Sequence, residues 1–194
     1  MRVPLNEQSN LCYSSNVALK TITSELPPEG KIAAKACEKL TPKLLGQLSN
    51  SDTPPETLME TLSILSILIT RFPGYLANVE PAPVPVLTPI LNHSRPAVRK
   101  RAITTLAQFL PYAQPQDFST LLNSIILPGL ASSANIEKQR TVVQLVAAIA
   151  RHSPAQIAPS LNEIIPSILK DSQRDDEELR ESCLQVNRSL LEGK

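Results

Sequence analysis

A short proline-containing motif recurs along the chain at nearly constant spacing. Pro42, Pro89, Pro128 and Pro166 each stand among aliphatic residues, and the steps between them are 47, 39 and 38 residues. A second signal, often an aliphatic residue followed by arginine, recurs with steps of 41, 41 and 40 residues at Thr57-Leu58, Val98-Arg99, Gln139-Arg140 and Leu179-Arg180. A period of about 40 residues with two helical signals per unit predicts a helical solenoid, in which each repeat packs only on its neighbours.

The repeats divide the chain into about four and a half helical hairpins within a single domain. The predicted units are a half repeat over residues 1–26 and full hairpins over 27–75, 76–113, 114–152 and 153–194. The expected fold class is all-α, a right-handed α-α superhelix. The half repeat would leave its inner face open, so we expect the chain to be a piece of something longer, or a second chain to complete the solenoid.

The composition agrees with packed helices. Hydrophobic residues make up 42% of the 194 residues, but aromatic residues only 3%, so the core must consist of Leu, Ile, Val and Ala. Five glycines argue against a sandwich or barrel rich in tight turns. The longest apolar segment, 58–69, is too short to span a bilayer and reads as a buried helix.

Helices are predicted from apolar spacing, from proline-rich breaks and from polar links. Their ranges are 5–25, 29–49, 55–72, 85–92, a helix that follows Ser94, 115–131, 135–151, 154–171 and 175–192. In the first helix the expected buried stripe is Leu11, Val17, Ala18 and Ile22, and in the second it is Ile32, Ala36, Leu40, Leu44, Leu45 and Leu48. The proline-dense stretch 78–85 favours a tight connection between repeats, with a polyproline ligand for another domain as the alternative.

Charge and cysteine usage exclude several classes of partner. A net charge of +1 gives no electrostatic footprint for nucleic acid. Cys12, Cys37 and Cys183 are widely spaced and form no CxxC, so neither a zinc site nor a disulfide framework is indicated. Reduced, buried thiols are expected, in a protein of the cytoplasm and/or nucleus.

No catalytic constellation is found, and we expect neither enzyme activity nor a cofactor, a metal or a small-molecule substrate. His93 and His152 both fall at predicted helix ends, where a capping or solvated role is expected. The acidic run 175–178 stands at the start of the last helix, where the helix dipole favours carboxylates, so no metal is needed to explain it.

The remaining candidate for function is the concave surface formed by one helix of each hairpin. The predicted core stripes of the later second helices are Val98, Ala102, Leu106 and Phe109, then Val142, Val143 and Val146, and then Leu179, Cys183 and Val186. The residues opposite these stripes are Lys100, Thr104, Gln108, Thr141, Gln144, Glu181, Gln185 and Arg188. Because this strip is mixed in charge and moderately polar, it suits a protein partner better than nucleic acid or a membrane. The alternative is that many of these side chains are simply solvated.

The units resemble HEAT/ARM-like repeats, and three strings carry a narrower resemblance. Residues 95–103 (Arg-Pro-Ala-Val-Arg-Lys-Arg-Ala-Ile), 139–151 and 175–185 are similar to consecutive repeats near the N-terminus of the cullin-associated, neddylation-dissociated family, also described as TATA-binding-protein-interacting. The string 19–28 resembles an earlier repeat of the same family. The resemblance covers nearly the whole chain and is weakest around 45–90.

The resemblance implies a HEAT scaffold that binds a cullin with its RING-box subunit. In that family the N-terminal arc lies against the C-terminal region of the cullin and the RING-box subunit, while the part that displaces substrate receptors lies near the family's C-terminus. Cullin binding is therefore implied for this chain, as part of ligase assembly and receptor exchange. Other HEAT adaptors, such as a nuclear transport receptor or a phosphatase scaffold, and a TATA-binding-protein interactor, are the alternatives.

Overall fold

The computed structural model describes residues 5–76, 80–131, 135–173 and 175–192, and within them the regular structure is helical throughout. The α-helices are α1 Leu5–Glu25, α2 Lys31–Ser49, α3 Pro55–Arg71, α4 Pro83–Leu87, α5 Pro96–Phe109, α6 Pro115–Leu121, α7 Leu127–Ala131, α8 Ile136–His152, α9 Pro154–Ile157, α10 Leu161–Asp171 and α11 Glu177–Glu192. The 3-10 turns are Pro73–Tyr75, Thr88–Asn92, Leu110–Tyr112 and Ala158–Ser160, and a π turn, Leu122–Ile126, joins α6 to α7. The predicted all-α, HEAT-like fold is confirmed.

The chain divides into two compact units, Met1–Thr105 and Leu106–Lys194. In the first unit α1 packs along α3, and α2 packs against α3 and α4. In the second unit α8 is the central helix, because it contacts α7, α9 and α11, while α10 packs on α7 and α11. Second helices therefore pack on second helices within each unit, as expected for stacked hairpins. The repeat boundaries inside the units stay a prediction.

The aliphatic stripes predicted for the later helices are buried as expected. Val98, Ala102, Leu106 and Phe109 of α5 are all buried, as are Val142, Val143 and Val146 of α8 and Leu179, Cys183 and Val186 of α11. Each set recurs at the three- and four-residue steps that place side chains on one face of a helix.

The stripe predicted for α1 is wrong. Val17 and Ile22 are 40% and 57% exposed, Ala18 is exposed, and the side chain of Leu11 lies outside the described residues. Among the side chains of α1 that the structure describes, residues 14–25, the buried ones are Asn16 and Thr23. Burying these polar groups is possible because each has a hydrogen-bond partner.

The neighbours of α1 explain why its polar side faces inward. The Asn16 side-chain amide donates to Thr61 Oγ1 at 3.0 Å and to Gln47 Oε1 at 3.3 Å. One turn further along α1, Lys20 Nζ lies 3.3 Å from Glu60 Oε2 on α3. The face that α3 and α2 present is therefore polar, and α1 matches it with amide and ammonium donors.

The stripe of α2 is also displaced in its first half. Ile32 is 65% exposed, and Ala33, Cys37 and Thr41 take the buried positions before Leu44, Leu45 and Leu48. Ala36 and Leu40, predicted to be buried, are half-buried. The two registers differ by one residue, so the sequence alone offered both an alanine-rich and an isoleucine-containing face.

The four repeated prolines lie in three different local structures. Pro42 and Pro166 stand inside α2 and α10. Pro89 lies in the 3-10 turn Thr88–Asn92, and Pro128 follows the π turn. Since an internal proline costs a regular α-helix about 3 kcal/mol, turns that have already left the α pattern accommodate it at lower cost.

Helices α7 and α8 approach each other unusually closely at Gly129. A Cβ atom placed on Gly129 would lie 2.4 Å from Val142 Cγ2, closer than nonbonded carbon atoms come. Gly129 follows Pro128 directly, so the repeated proline signal is here combined with a residue that allows close helix packing.

Candidate protein-binding surface

The eight residues predicted for a concave binding surface fall on α5, α8 and α11. Lys100 of α5 is exposed, while Thr104 and Gln108 are half-buried, and the Thr104 hydroxyl donates to the Lys100 carbonyl at 3.1 Å. On α8 Gln144 is half-buried. On α11 Glu181, Gln185 and Arg188 are all exposed. Whether these residues bind a protein stays a prediction.

Thr141 does not lie on an accessible surface. Its side chain is only 8% exposed, and its hydroxyl donates to the Glu137 carbonyl at 2.9 Å within α8. The cause is the central position of α8: with α7 and α11 packed against it, every residue from 139 to 150 is buried or half-buried. This helix therefore offers much less surface than its sequence pattern suggested.

The outer face of α11 is the best-formed candidate surface in the second unit. Glu181, Gln185 and Arg188 share it at helical spacing, and Glu181 Oε1 lies 4.0 Å from Arg188 Nη1. Leu184 lies among them and is 47% exposed. An exposed aliphatic side chain with polar and charged groups around it has the arrangement of a small apolar centre within a polar rim.

Sequence reasoning missed Leu184, although a signal for it was present. The core stripe of α11 is Leu179, Cys183 and Val186, which follow steps of four and three residues. Leu184 falls outside that series, so a leucine at this position has to point away from the core. An apolar residue out of phase with its own stripe was the feature to look for.

The start of α11 is held against α8 by an ionic cluster of Arg140, Asp176 and Glu178. Arg140 Nε donates to Asp176 Oδ1 at 3.1 Å, its Nη2 also contacts the Asp176 carboxylate, and its Nη1 lies 2.6 Å from Glu178 Oε2. Asp176 Oδ1 also accepts the backbone N–H of Leu179 at 2.7 Å, which caps the helix. The cluster fixes the direction in which α11 presents its outer face.

The protonation state of Asp176 follows from these contacts. The hydrogen bond from Arg140 lowers the pKa of the Asp176 carboxyl, and the bond from the Leu179 N–H lowers it further. The carboxylate therefore stays ionised to a lower pH than an ordinary aspartate. The acidic run predicted to act through the helix dipole acts in addition as a cap and as the anionic half of an ion pair between repeats.

The residues that could support other chemistry occupy structural positions. Burial raises the pKa of the Cys183 thiol to about 11, and burial also raises the pKa of Cys37. His93 Nδ1 accepts the backbone N–H of Arg95 at 3.0 Å, and His152 lies in the last turn of α8. Over the described parts of the chain, no group of three or more His, Cys, Asp or Glu side chains could hold a metal, and no helix there is long and apolar enough to cross a bilayer.

No protein-family profile matches the chain, but curated relatives do. It is 33% identical to cullin-associated NEDD8-dissociated protein 1 of Drosophila melanogaster over 89% of this chain and 14% of that protein. It is 30% identical to cullin-associated NEDD8-dissociated protein 2 of Mus musculus over 96% of this chain, and to protein 1 of Dictyostelium discoideum over the same share. These matches cover 15% and 16% of the relatives.

The chain belongs to the cullin-associated NEDD8-dissociated protein family. It spans only about one seventh of the length of the curated relatives it matches. The family resemblance stated from the sequence strings is thereby confirmed. The narrower placement, near the N-terminus of the family, stays a prediction.

Proposed function

We propose that this chain is a non-enzymatic HEAT-repeat scaffold that binds the core of a cullin–RING ubiquitin ligase. The observation that carries the proposal is the 30–33% identity, over 89–96% of the chain, to proteins whose names describe association with cullins. A helical-repeat architecture without a metal cluster or a reactive thiol among the described residues is compatible with a binding role.

We assign the contact with the cullin and its RING-box subunit to the outer face of α11. This face combines the exposed Leu184 with the polar groups of Glu181, Gln185 and Arg188. The Arg140 cluster holds the helix in a fixed direction, so little order has to be gained on binding. A role in ligase assembly and substrate-receptor exchange, action in the cytoplasm and/or nucleus, and a second chain that completes the solenoid belong to the same proposal.

The direct test is binding of the purified chain to a purified cullin–RING-box complex, measured by biolayer interferometry. Leu184→Ala should weaken binding by at least about tenfold, because an anchor at the centre of an interface contributes more than about 1.4 kcal/mol. Leu169→Ala is the matched control, since Leu169 of α10 is equally exposed, at 51%, but lies on the other helix of the same hairpin. It should bind like the unchanged chain.

Each outcome decides a different part of the proposal. Absence of binding at micromolar concentrations, with the chain folded by circular dichroism, would overturn cullin association. Binding that responds equally to both leucine substitutions, or to neither, would retain the partner but reject the α11 face. An importin-type transport receptor's GTPase and a phosphatase catalytic subunit serve as the negative partners.

A further inference from the structure

Helix α2 carries a row of lysines that the α11 face does not use. Lys31, Lys35, Lys39 and Lys43 recur at every fourth position, and all four are exposed. With a rise of 1.5 Å per residue the row is about 18 Å long, and because each four-residue step adds about 40° of rotation it winds through about 120° of the helix surface. Four lysines and the single Glu38 give α2 a net charge of +3, whereas the whole chain carries only +1. The net charge of the whole chain therefore hides a local positive charge on α2, and α5, with Arg99, Lys100 and Arg101 and no acidic residue, carries the same net charge.

The lysine row is not neutralised within the protein. None of the four ammonium groups is paired with another described residue in an ion pair or a hydrogen bond. Neighbouring lysines four residues apart repel each other on a helix surface. Lys31 stands at the first position of α2, the positive end of the helix dipole, and the first turn contains no acidic residue. A bound anionic partner would relieve both effects.

An exposed apolar side chain lies within the same face. Ile32 is 65% exposed and stands three residues before Lys35 and seven before Lys39, so it lies beside both on the helix surface. Pro42 and Gly46 are exposed on this side as well. The face therefore offers an apolar contact flanked by cations rather than a uniformly charged surface.

We propose that this face of α2, defined by Lys31, Ile32, Lys35, Lys39 and Lys43, docks an acidic helical segment of a partner protein. Carboxylates spaced four residues apart on such a segment would follow the lysine row, and one apolar residue would cover Ile32. Charge complementarity sets the orientation and the on-rate, and the Ile32 contact contributes the non-directional part. This surface lies on a first helix of a hairpin and is separate from the α11 face.

Two other anionic partners fit the observations less well. Single-stranded nucleic acid is bound by combining cations with aromatic stacking, and α2 contains no aromatic residue. An extended phosphate surface, whether nucleic acid or membrane, would also meet the exposed Glu38 on α2 and Glu29 just before it. A short acidic segment can end before Glu29, and it can place an uncharged residue opposite Glu38, which lies between Lys35 and Lys39.

The probe for a test is a fluorescein-labelled helical peptide of 18 residues with glutamate at four successive fourth positions and one leucine beside them. Its fluorescence anisotropy is titrated with the folded chain at low and at physiological salt. We expect binding in the micromolar range that weakens as salt rises, because exposed charges are screened. Lys35→Glu combined with Lys39→Glu should reduce affinity at least tenfold, and Ile32→Ser several-fold.

The controls separate this face from general cation effects. Lys138→Glu combined with Lys170→Glu makes the same charge change at exposed positions of the second unit and should leave the affinity unchanged. A peptide of the same composition with scrambled glutamate spacing should bind at least about fivefold more weakly. Equal binding of the scrambled peptide, equal loss in both double variants, or tighter binding of an oligonucleotide or of phosphatidylserine vesicles would overturn the proposal. Cullin binding is measured separately, so failure of one leaves the other standing.

Discussion

Substituting Gly129 and Gly46 by alanine should change stability in opposite directions. Both glycines lie inside helices, where alanine is intrinsically favoured by about 0.5–1 kcal/mol. Around Gly46 on α2 nothing lies within 4 Å of a Cβ, whereas at Gly129 the Cβ would fall 2.4 Å from Val142 Cγ2. The substitution is the same in both cases, and only the packing differs.

The size of each effect follows from two opposing contributions. At Gly46 the helix preference acts alone, so we expect a gain of about 0.5–1 kcal/mol in the free energy of unfolding. At Gly129 the preference is offset by overpacking, which costs about 1–3 kcal/mol, and a net loss of about 1–2 kcal/mol remains. Val142→Ala removes the atom that clashes, at its own cost of about 2 kcal/mol for the lost methyl groups and the cavity.

The measurement is urea unfolding followed by far-UV circular dichroism. With a urea dependence of roughly 2 kcal/mol per molar, Gly129→Ala should lower the midpoint by about 0.7 M and Gly46→Ala should raise it by about 0.3 M. The double variant of Gly129 and Val142 should be about 2 kcal/mol more stable than the sum of the single changes predicts. A Gly129→Ala protein as stable as the original, or additive behaviour with Val142→Ala, would refute the close approach of α7 and α8.

Four further predictions address the ionic cluster and the buried groups. Because folding lowers the pKa of Asp176, its charge stabilises the fold above the ordinary aspartate pKa, and this stabilisation is lost as the pH falls. Asp176→Asn keeps the helix cap but removes the charge, so the difference in melting temperature between the original chain and this variant should shrink below about pH 4. A difference that does not change with pH would show that the charge is irrelevant. Arg140→Met should lower the free energy of unfolding by up to about 1 kcal/mol at low salt and by less at high salt. Urea titrations at two ionic strengths measure this loss of stability. A loss of the same size at both salt concentrations would contradict an ionic origin. Ser153→Ala should lower the free energy of unfolding by about 1–2 kcal/mol, because the buried Ser153 hydroxyl donates to the Ala107 carbonyl at 2.6 Å. An unchanged melting temperature would argue against that hydrogen bond. Because the pKa of Cys183 is raised to about 11, Ellman's reagent at pH 8 should label this thiol far more slowly in the folded than in the unfolded chain. Peptide mass spectrometry identifies the labelled cysteine. Rapid labelling of Cys183 in the folded chain would contradict its burial.

The bounds and core faces of several helices followed from the sequence, because aliphatic periodicity in them is unambiguous. Residues 5–25 were predicted as one helix, and α1 has those bounds. In α5 and α11 the predicted stripes follow three- and four-residue steps, and the structure buries them. The proline-rich starts of α3 and α5 likewise mark helix beginnings directly, since proline suits the first turn of a helix.

The buried face of α1 could not be predicted, because it depends on residues far away in the sequence. Local periodicity favoured the side of Val17 and Ile22, but α3 presents Glu60 and Thr61 to this helix. Only the packing of α1 on α3 decides that Asn16 faces inward. The prediction that Thr141 is accessible fails for the same reason, because neighbouring helices cover this residue and the pattern of α8 alone does not show it.

The candidate surface was predicted in part. The polar residues of α11 are exposed as expected, and their role in binding stays a prediction. Residue spacing alone indicates both Leu184, which falls outside its own core stripe, and the lysine row of α2, whose charge is averaged out in the net charge of the whole chain. The pairing of Arg140 with Asp176 could not be predicted from the sequence, because the two residues belong to different hairpins.

The π turn has a consequence for how the length of this chain can vary. Phe118, Leu122, Ile126 and Leu130 are all buried although they follow one another at strict four-residue steps. In a regular α-helix, with 3.6 residues per turn, such steps would rotate the last side chain by about 120° from the first. The wider turn absorbs the surplus and keeps all four on one side. A one-residue deletion between 122 and 126 would therefore convert it into ordinary helix with little loss, whereas a deletion in α8 would rotate the side chains on one side of the deletion by about 100° out of their packing positions.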